Sequence, residues 1–350
     1  MENDVKGSKI IRIAHGSGGI LQSELIEFIV KGIAQKNVNN GIGVEELDDG
    51  ATIPLKNYDK EIVITADGHT VFPLFFPGGD LGKLSICGTV NDILMMGAEP
   101  LALSSIYIIE EGFSFDLLGK IVMSFNQTAK EADIAIIAGD TKVMPKTTLN
   151  EIIIATSGIG IKNKNIKIYD NNLKAGDKII VTGSIGDHGA ALIAKREGLN
   201  LSTNLESDLA HLKEIYHAIK EDIKQNHIHA MKDPTRGGVA SALNEWSSKS
   251  NMSVWLDEEK IPIKKEVNAV CDILGLDPMQ MACEGKALIA IDSNYADAVL
   301  QKIKATNLGK EARIIGEVKS EDQKKVFLKT IIGGTRFVDI PLGESIPRIC

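Results

Sequence analysis

Three aspartates are placed where a divalent cation and a nucleotide phosphate could bind. Asp49, Asp67 and Asp140 each lie beside a glycine, and the last two follow the apolar runs 62–65 and 134–137, which are predicted strands. Ligands of α/β folds gather at the carboxyl ends of strands, where carboxylates hold the Mg²⁺ of nucleotide phosphates. A single Asp-Gly pair is also an ordinary turn. Three such pairs in one half of the chain favour a metal and phosphate site.

A helix predicted over 80–97 carries a further acidic residue. Asp80 is suited to cap its N-terminus, and Gly97 is suited to end it. Gly88 and Asp92 are four residues apart and therefore share one face. Because a glycine costs a helix about 1 kcal/mol against alanine, its place beside a carboxylate indicates that another group approaches closely. Packing of a second helix at Gly88 explains the glycine equally well.

A glycine-rich loop, HGSGG at 15–19, precedes an amphipathic helix that begins near Leu21. The backbone N–H groups of such a loop, including those of Gly18 and Gly19, can approach a phosphate at a helix N-terminus. The chain has no P-loop pattern, and leucine at position 21 breaks the dinucleotide pattern G-x-G-x-x-G. A structural turn is the alternative interpretation.

Further charged and glycine-rich segments fit an anion site. Lys142, directly after the Gly-Asp-Thr segment 139–141, is suited to neutralise phosphate charge in a transition state, although most lysines are solvated surface charges. In the second half, GSIGDHG at 183–189, which contains His188, and DPTRGG at 233–238 are loops beside predicted helices. Either loop can contact an anion, and helix entry alone also explains both.

The last residue, Cys350, is the most unusual position. The four cysteines form no C-x-x-C pair, so neither a zinc site nor a disulfide framework is indicated. Cys350 ends a proline- and glycine-containing tail, where a thiol is expected to be exposed and nucleophilic, with Arg348 nearby to favour the thiolate. The alternative is that a terminal residue carries no role, because termini tolerate chance residues.

Composition excludes several classes of protein. The 350 residues are 43% hydrophobic and 25% charged, which is typical of a globular protein with a large aliphatic core. The formal net charge of −8 repels polyanions and so disfavours nucleic acid as a partner. The sequence contains no run of 18 apolar residues, so it predicts no membrane span. The first nine residues are polar and do not resemble a signal peptide. We therefore expect a cytoplasmic protein.

The pattern of elements predicts an α/β (α+β) protein with two domains. Apolar strand-like runs alternate with helical patterns in both halves, and lysines and asparagines crowd between the halves. We expect an N-terminal domain at 1–160, a linker at 161–176, a C-terminal domain at 177–336 and a mobile tail at 337–350. Fully extended, about 14 tail residues span on the order of 45 Å.

Taken together, the motifs resemble the HypE family of hydrogenase maturation proteins, in the PurM-like (aminoimidazole ribonucleotide synthetase) superfamily. The resemblance covers nearly the whole chain, and its most specific parts are the long block that begins PLFFPGGD and the terminal PRIC. One departure is Gly68-His69, where the family more often has serine and a bulky residue. The resembling segments are 14–19, 73–101, 136–143, 183–190, 233–238, 274–278, 283–286 and 347–350.

The resemblance implies a PurM-like fold, a homodimer formed by the N-terminal domains, and a site for ATP and Mg²⁺. It also implies particular residue roles. Cys350 would carry the substrate, and Lys142 would contact phosphate. Glu284 would accept a proton, with His188 or Asp92 as the next candidates. The residues implied to bind ATP or Mg²⁺ are Gly18, Gly19, Asp49, Asp67, Asn91, Asp92, Gly139, Asp140 and Thr141, with the metal held by Asp49, Asp67, Asp92 and Asp140.

The implied activity is ATP-dependent dehydration of an S-carbamoyl group on Cys350 to a thiocyanate. The implied partners are the carbamoyltransferase HypF, which supplies the carbamoyl group, and the HypC–HypD complex, whose iron receives the cyano group. Two other hypotheses remain open at this point. One is an ATP-dependent enzyme of the same superfamily that acts on a free small molecule, and the other is a non-catalytic scaffold that delivers metal through Cys350.

Overall fold

The computed structural model describes Ile11, His15 and residues 19–199, 205–321 and 323–341. The helices are α1 (Ile20–Lys31), α2 (Leu81–Met95), α3 (Phe115–Glu131), α4 (Asp187–Arg196), α5 (Lys213–Lys224), α6 (Gly238–Ser250), α7 (Lys265–Leu274) and α8 (Ala296–Lys304). The strands are β1 (Ala51–Pro54), β2 (Lys60–His69), β3 (Phe75–Phe76), β4 (Gly79–Asp80), β5 (Glu99–Glu110), β6 (Ala135–Met144), β7 (Ile152–Asn163), β8 (Lys178–Val181), β9 (Ile228–Lys232), β10 (Ser253–Asp257), β11 (Leu288–Ile291), β12 (Arg313–Lys319), β13 (Val326–Lys329) and β14 (Thr335–Phe337).

The first half of the chain builds a sheet with the strand order β1-β2-β7-β5-β6. Its neighbouring strands are antiparallel, except that β5 and β6 run parallel. Helices α2 and α3 pack together and contact the sheet. The α2 residues Ile86, Ile93 and Leu94 are completely buried there. Burial of this aliphatic surface is the main force that holds the helices on the sheet.

Helix α2 has the predicted ends. The Asp80 carboxylate accepts hydrogen bonds from the backbone nitrogens of Gly82, at 2.7 Å, and Lys83, at 3.1 Å. Gly97, just beyond the helix, has a φ of +72°, which a residue with a side chain rarely adopts. Nearly every residue of α2 is buried. It is therefore a central element from which side chains on either side can be positioned.

Two acidic residues lie inside strands rather than after them. Asp67 is within β2, and Asp140 is within β6. Asp67 lies two residues before the carboxyl end of β2, close to its predicted place, whereas Asp140 lies in the middle of β6 and that prediction was wrong. Each strand extends past its apolar run because its hydrogen-bond ladder with the neighbouring strand continues through the polar residues.

The face of the first sheet opposite α2 is open and aliphatic. Thr65 contacts Asp92 of α2, so its neighbour Ile64 points to the other face. Ile64 pairs with Ile159, and each is 38% exposed, while Ile106 on the same face is 41% exposed. Adjacent exposed aliphatic side chains of this kind are characteristic of a protein interface.

The second half builds a seven-stranded mixed sheet with the order β14-β13-β10-β12-β8-β11-β9. Both of its faces are covered. Ile179 belongs to the same buried cluster as Trp246 of α6, whereas the adjacent Ile180 belongs to the cluster that includes Ile219 of α5. This alternation places helices on both sides of the sheet and confirms the predicted α/β class with two domains.

The connection between the two halves is packed. Strand β7 continues to Asn163, three residues into the predicted linker 161–176. Beyond it, Ile166, Ile168 and Leu173 are all buried. The lysines and asparagines that suggested a linker alternate with these apolar anchors, so this segment fixes the two halves against each other.

The first residues of the predicted mobile tail, from 337 onwards, are packed against the second half of the chain. Phe337 belongs to β14, and the Val338 nitrogen donates to the Val326 carbonyl. The Asn244 side chain donates to the Val338 carbonyl at 2.8 Å. Residues 342–350 lie outside the described part of the chain. In the part of the chain that the structure describes, no helix has the length and apolar character needed to cross a membrane.

Candidate active site

A cavity of about 680 Å³ lies where the first sheet meets the second half of the chain. Asp48 and Glu284 line it together with four further carboxylates, Asp49, Asp67, Asp92 and Asp233. These four come from the loop before β1, from β2, from α2 and from the loop before α6. The fold therefore brings three of the predicted acidic residues together. Asp233 belongs to the DPTRGG loop, whose role the sequence left open.

Gly88 makes room for the carboxylate of Asp67. A β-carbon at Gly88 would lie 3.2 Å from Asp67 Oδ2 and 2.9 Å from Cε1 of His69. One turn further along α2, Asp92 Oδ2 accepts a 2.7 Å hydrogen bond from Oγ1 of Thr65. The group that approaches α2 at its glycine is thus strand β2 and not a second helix.

The carboxylates raise one another's pKa. Burial in the cavity wall raises the pKa of Asp92 well above its usual value. The negative charges of Asp233, Asp67 and Asp49 raise it further. Burial raises the pKa of Asp233 to about 6. Burial also raises the pKa of Asp49, although the Lys232 ammonium opposes it. A cation among these carboxylates would offset their mutual repulsion and lower their pKa values, so the cluster favours binding of a cation.

Lys232 compensates part of this charge. Its Nζ lies 2.6 Å from Asp49 Oδ1 and 3.1 Å from Asp170 Oδ2. Asp170 also accepts hydrogen bonds from Trp246 Nε1 at 2.7 Å and Lys249 Nζ at 2.6 Å. Burial disfavours the Asp170 carboxylate, but the two ammonium groups hold its pKa below the usual value. This network joins the loop before β1 to the second half.

The donor set suits a hard cation such as Mg²⁺. Asp49, Asp67, Asp92 and Asp233 offer carboxylate oxygens, the ligands that Mg²⁺ prefers. Among the described residues, no three His, Cys, Asp or Glu side chains already converge on one point as a metal site. Mg²⁺ usually binds through one or two carboxylates together with phosphates and water. The residues fit an ion that arrives with a nucleotide better than a preformed metal cage.

Glu284 lines the same cavity, and its side chain is 5% exposed. Its backbone nitrogen donates to Asp208 Oδ1 at 3.1 Å. Lys286, two residues away, has its Nζ 3.5 Å from Asp208 Oδ2. The segment that holds Glu284 is therefore fixed against the loop that precedes α5.

Asn91, predicted to bind the nucleotide, does not line the cavity. Its Oδ1 accepts from the Leu212 nitrogen at 2.8 Å, and its Nδ2 donates to the carbonyls of Ala210, at 3.1 Å, and Glu284, at 3.4 Å. The structure thus uses this side chain to connect α2 to the second half of the chain.

His188, the predicted second candidate for the base, does not line the cavity either. Its ring is completely buried, with Nδ1 2.7 Å from Ser207 Oγ and an edge contact to Phe76. Burial lowers the pKa of His188 to about 3. The imidazole is therefore neutral at physiological pH and has a packing role between the two halves.

The predicted site residues of β6 are separated from the cavity. Gly139, Asp140, Thr141 and Lys142 lie on the edge strand, and none of them lines the cavity. Strands β7 and β5 lie between β2 and β6, so Asp67 and Asp140 are about 14 Å apart across the sheet. Asp140 pairs with Ile106 and so points to the open face, opposite Asp67. One copy of the chain cannot bring Asp140 or Lys142 to the other carboxylates.

Gly19 lies beside Pro341, which belongs to the predicted tail. It precedes α1 with a φ of +81°, and a β-carbon there would lie 2.1 Å from the Pro341 carbonyl oxygen. Gly19 also lines a smaller cavity of about 220 Å³ that shares Asp49 and Asp233 with the large one. Pro341 thus lies near the carboxylates. Gly18 and Cys350 lie outside the described residues.

Sequence reasoning gave no specific role to two cations beside the cavity, Lys232 and Arg236. Arg236 Nη2 lies 3.9 Å from Asp67 Oδ1, and the residue lines both cavities. The signal that could have found them is the DPTRGG segment, in which charged residues stand directly before two glycines at a helix start.

Comparison with known proteins assigns the family. The model of the AIR synthase related protein N-terminal domain matches residues 47–162, and that of the C-terminal domain matches 174–329. A hydrogenase expression/formation protein of Methanocaldococcus jannaschii is 51% identical over 98% of this chain and 100% of its own length. The carbamoyl dehydratase HypE of Rhizobium leguminosarum is 43% identical over 97% of this chain and 95% of its own. The chain belongs to the HypE family.

Solved HypE structures have the same architecture. The chain matches a protein in a HypE–HypF complex with a TM-score of 0.83 and 40% identity, over 92% of this chain and 100% of the other. It matches a HypE in complex with ATP with a TM-score of 0.79 and 34% identity, over 97% and 100% of the two chains. The predicted PurM-like fold and HypE resemblance are therefore confirmed.

Proposed function

We propose that this member of the HypE family is an ATP-dependent carbamoyl dehydratase that converts S-carbamoylated Cys350 into a thiocyanate. The observation that carries the proposal is the cavity in which five aspartates and Glu284 lie together, close to the smaller cavity of Gly19, whose neighbour is Pro341. Nine residues follow Pro341, and an extended chain of that length spans about 30 Å. That reach is sufficient for the terminal thiol to enter the cavity.

ATP is the phosphoryl donor in this proposal, as the HypE structure with ATP suggests. Asp49, Asp67, Asp92 and Asp233 would hold Mg²⁺ together with the phosphates. When bound, Mg²⁺ offsets phosphate charge during transfer. Arg236 supplies a positive charge at the same wall, next to Asp67. Within one copy of the chain it takes the place that the sequence had assigned to Lys142.

The reaction balances as a phosphorylation followed by an elimination. The carbamoyl oxygen forms a bond to the γ-phosphorus of ATP, and ADP leaves. The carbon–oxygen bond then breaks, and phosphate departs with the oxygen. The nitrogen loses both protons as the carbon–nitrogen triple bond forms. The departing phosphate takes one of these protons, and Glu284 accepts the other, because it is a carboxylate in a largely enclosed wall beside the phosphate site.

A homodimer completes the proposed enzyme. The open face that carries Ile64, Ile106 and Ile159 is aliphatic, and a second copy would cover it. Asp140 and Lys142 lie on the same open face, on the edge strand β6. A dimer formed through this face would therefore bring them close to the partner copy. We assign their contribution to ATP binding to the cavity of that second copy.

The proposed partners follow from the chemistry of the tail. HypF would add the carbamoyl group to Cys350, as the HypE–HypF complex suggests, and HypC–HypD would accept the cyano group. We place this chemistry in the cytoplasm, because Cys87, Cys271 and Cys283 are free thiols, as in reducing compartments. We also retain 1–160 and 177–336 as the proposed limits of the two domains.

Intact-mass measurement on a carbamoylated protein tests the proposal. Addition of ATP and Mg²⁺ should remove the mass of one water molecule from the modified chain and release one ADP per event. The Cys350→Ala variant is the control and should accept no carbamoyl group from HypF. ATP turnover without any change in the tail's mass would favour an enzyme for a free small molecule. The absence of both would favour a metal-delivery scaffold.

A further inference from the structure

Asn91 is the side chain through which α2 contacts the segment that carries Glu284. It is 1% exposed and directly precedes the cavity residue Asp92 on the same helix. Its amide makes hydrogen bonds to three backbone groups of the second half, at residues 210, 212 and 284. Each of these partners is a main-chain atom, so the Asn91 amide fixes the position of the partner backbone rather than the rotamer of a partner side chain.

The backbone around Glu284 is held from several directions. Its nitrogen donates to Asp208 Oδ1, and its carbonyl also accepts from the Ala210 nitrogen at 3.4 Å. The Cys283 nitrogen donates to the Pro234 carbonyl at 3.0 Å, which connects this segment to the loop of Asp233. All of these partners belong to the second half of the chain. Asn91 contacts the Glu284 carbonyl from the first half of the chain.

A glycine next to Glu284 shows how closely the segments approach. A β-carbon at Gly285 would lie 1.9 Å from the Asp208 carbonyl oxygen. The loop at 208–212 and the segment at 283–286 therefore contact each other directly. Asn91 bonds to both of them, at Ala210 and at Glu284. A displacement of one segment relative to α2 would carry the other with it.

We infer that Asn91 is a positioning residue that sets the distance between the carboxylates of the phosphate site and the proton acceptor Glu284. Asp92 and Asn91 are neighbours on one rigid helix, so the helix turn that presents Asp92 also anchors the Glu284 backbone. This inference rests on the proposed role of Glu284. Misplacement of a reacting group by about 1 Å can cost on the order of a hundredfold in rate.

The principal test is single-turnover dehydration of carbamoylated protein with saturating Mg-ATP. Asn91→Ala should slow the loss of water by about tenfold to a hundredfold. The dissociation constant of Mg-ATP, measured by calorimetry, should stay within about twofold of the parent's, because Asn91 does not line the cavity. Asn172→Ala is the matched control. That side chain also donates to two backbone carbonyls, of Lys167 and His229, but lies away from the cavity, so its rate should match the parent's.

A double variant separates positioning from general loosening of the fold. If Asn91 acts through Glu284, adding Asn91→Ala to Glu284→Gln should slow the reaction no further than Glu284→Gln alone. Multiplicative losses, or an Asn91→Ala rate within about threefold of the parent's, would overturn the inference. A parent-like rate for Glu284→Gln would instead remove the proposed base itself. Asn91→Ser keeps a small polar group if alanine prevents folding, and loss of the fold in both would also overturn the inference.

Discussion

The Lys232 ammonium lies 2.6 Å from Asp49 Oδ1 and joins the loop before β1 to the end of β9. Both side chains are nearly enclosed, at 10% and 12% exposure. The ammonium opposes the effect of burial, which raises the pKa of Asp49, and so favours the ionised form of this proposed nucleotide-site carboxylate. It also connects the charge of the cavity to the stability of the whole chain.

Replacing Lys232 with methionine should destabilise the protein by about 3–5 kcal/mol, because the carboxylate of Asp49 would remain buried without its cation. Urea unfolding gives the free energy. Lys178→Met is the matched control, because Lys178 pairs with Glu317 at 2.9 Å on the surface. Its loss should cost about 0–1 kcal/mol. Equal losses of unfolding free energy in both variants would show that the buried Lys232–Asp49 pair stabilises the protein no more than an exposed pair does.

Asp92→Asn and Asp140→Asn should each weaken Mg-ATP turnover strongly, since a neutral amide is a poorer ligand for a hard cation than a carboxylate. The two residues lie on opposite faces of the first sheet. In a dimer whose sites use Asp140 of the second copy, mixing and re-annealing the two variants should restore about a quarter of the parent turnover. Each mixed dimer then contains one intact site. A mixture as inactive as its components would place both residues in the same copy's site.

Protonation of His188 should contribute to acid unfolding. Burial lowers its pKa from 6.5 to about 3, so the unfolded chain binds this proton at a higher pH than the folded protein does. The contribution to stability is present above pH 6.5 and is lost as the pH falls toward 3. Between pH 7 and pH 5 the loss is about 2 kcal/mol. Urea unfolding at both pH values should show a loss about 2 kcal/mol larger in the parent than in His188→Gln, because the other titrating groups are common to both proteins. The exposed His217, changed to glutamine, is the control and should leave the loss in place.

Gly19→Ala should disrupt the close contact between residue 19 and Pro341. The new β-carbon would overlap the Pro341 carbonyl oxygen, and the φ of +81° adds a strain of about 1–2 kcal/mol. Hydrogen exchange at Val338 and Asp339 should become faster, and dehydration of the attached tail should become slower. Gly176→Ala is the matched control, because its φ of +94° imposes similar strain with no neighbouring atom within 4 Å. If hydrogen exchange at Val338 and Asp339 became equally faster in both variants, backbone strain alone would explain the effect.

The sequence by itself determined the local features of this protein. The capping carboxylate of Asp80 and the left-handed Gly97 bound α2 because both effects act within a few residues. Composition and periodicity also gave the α/β class. The motifs, read as a resemblance, identified the HypE family and the candidate carboxylates Asp49, Asp67 and Asp92, which the fold does bring to one cavity.

The tertiary structure decided which of these residues meet. Strand order placed Asp140 and Lys142 across the sheet from Asp67, and no local pattern encodes strand order because it depends on pairing between distant segments. The same is true of Asn91, whose partners lie more than a hundred residues away along the chain, and of Lys232, whose charge is matched by Asp49 of the first half. A side chain's type predicts what it can bond. Only long-range packing decides which atoms come within bonding distance.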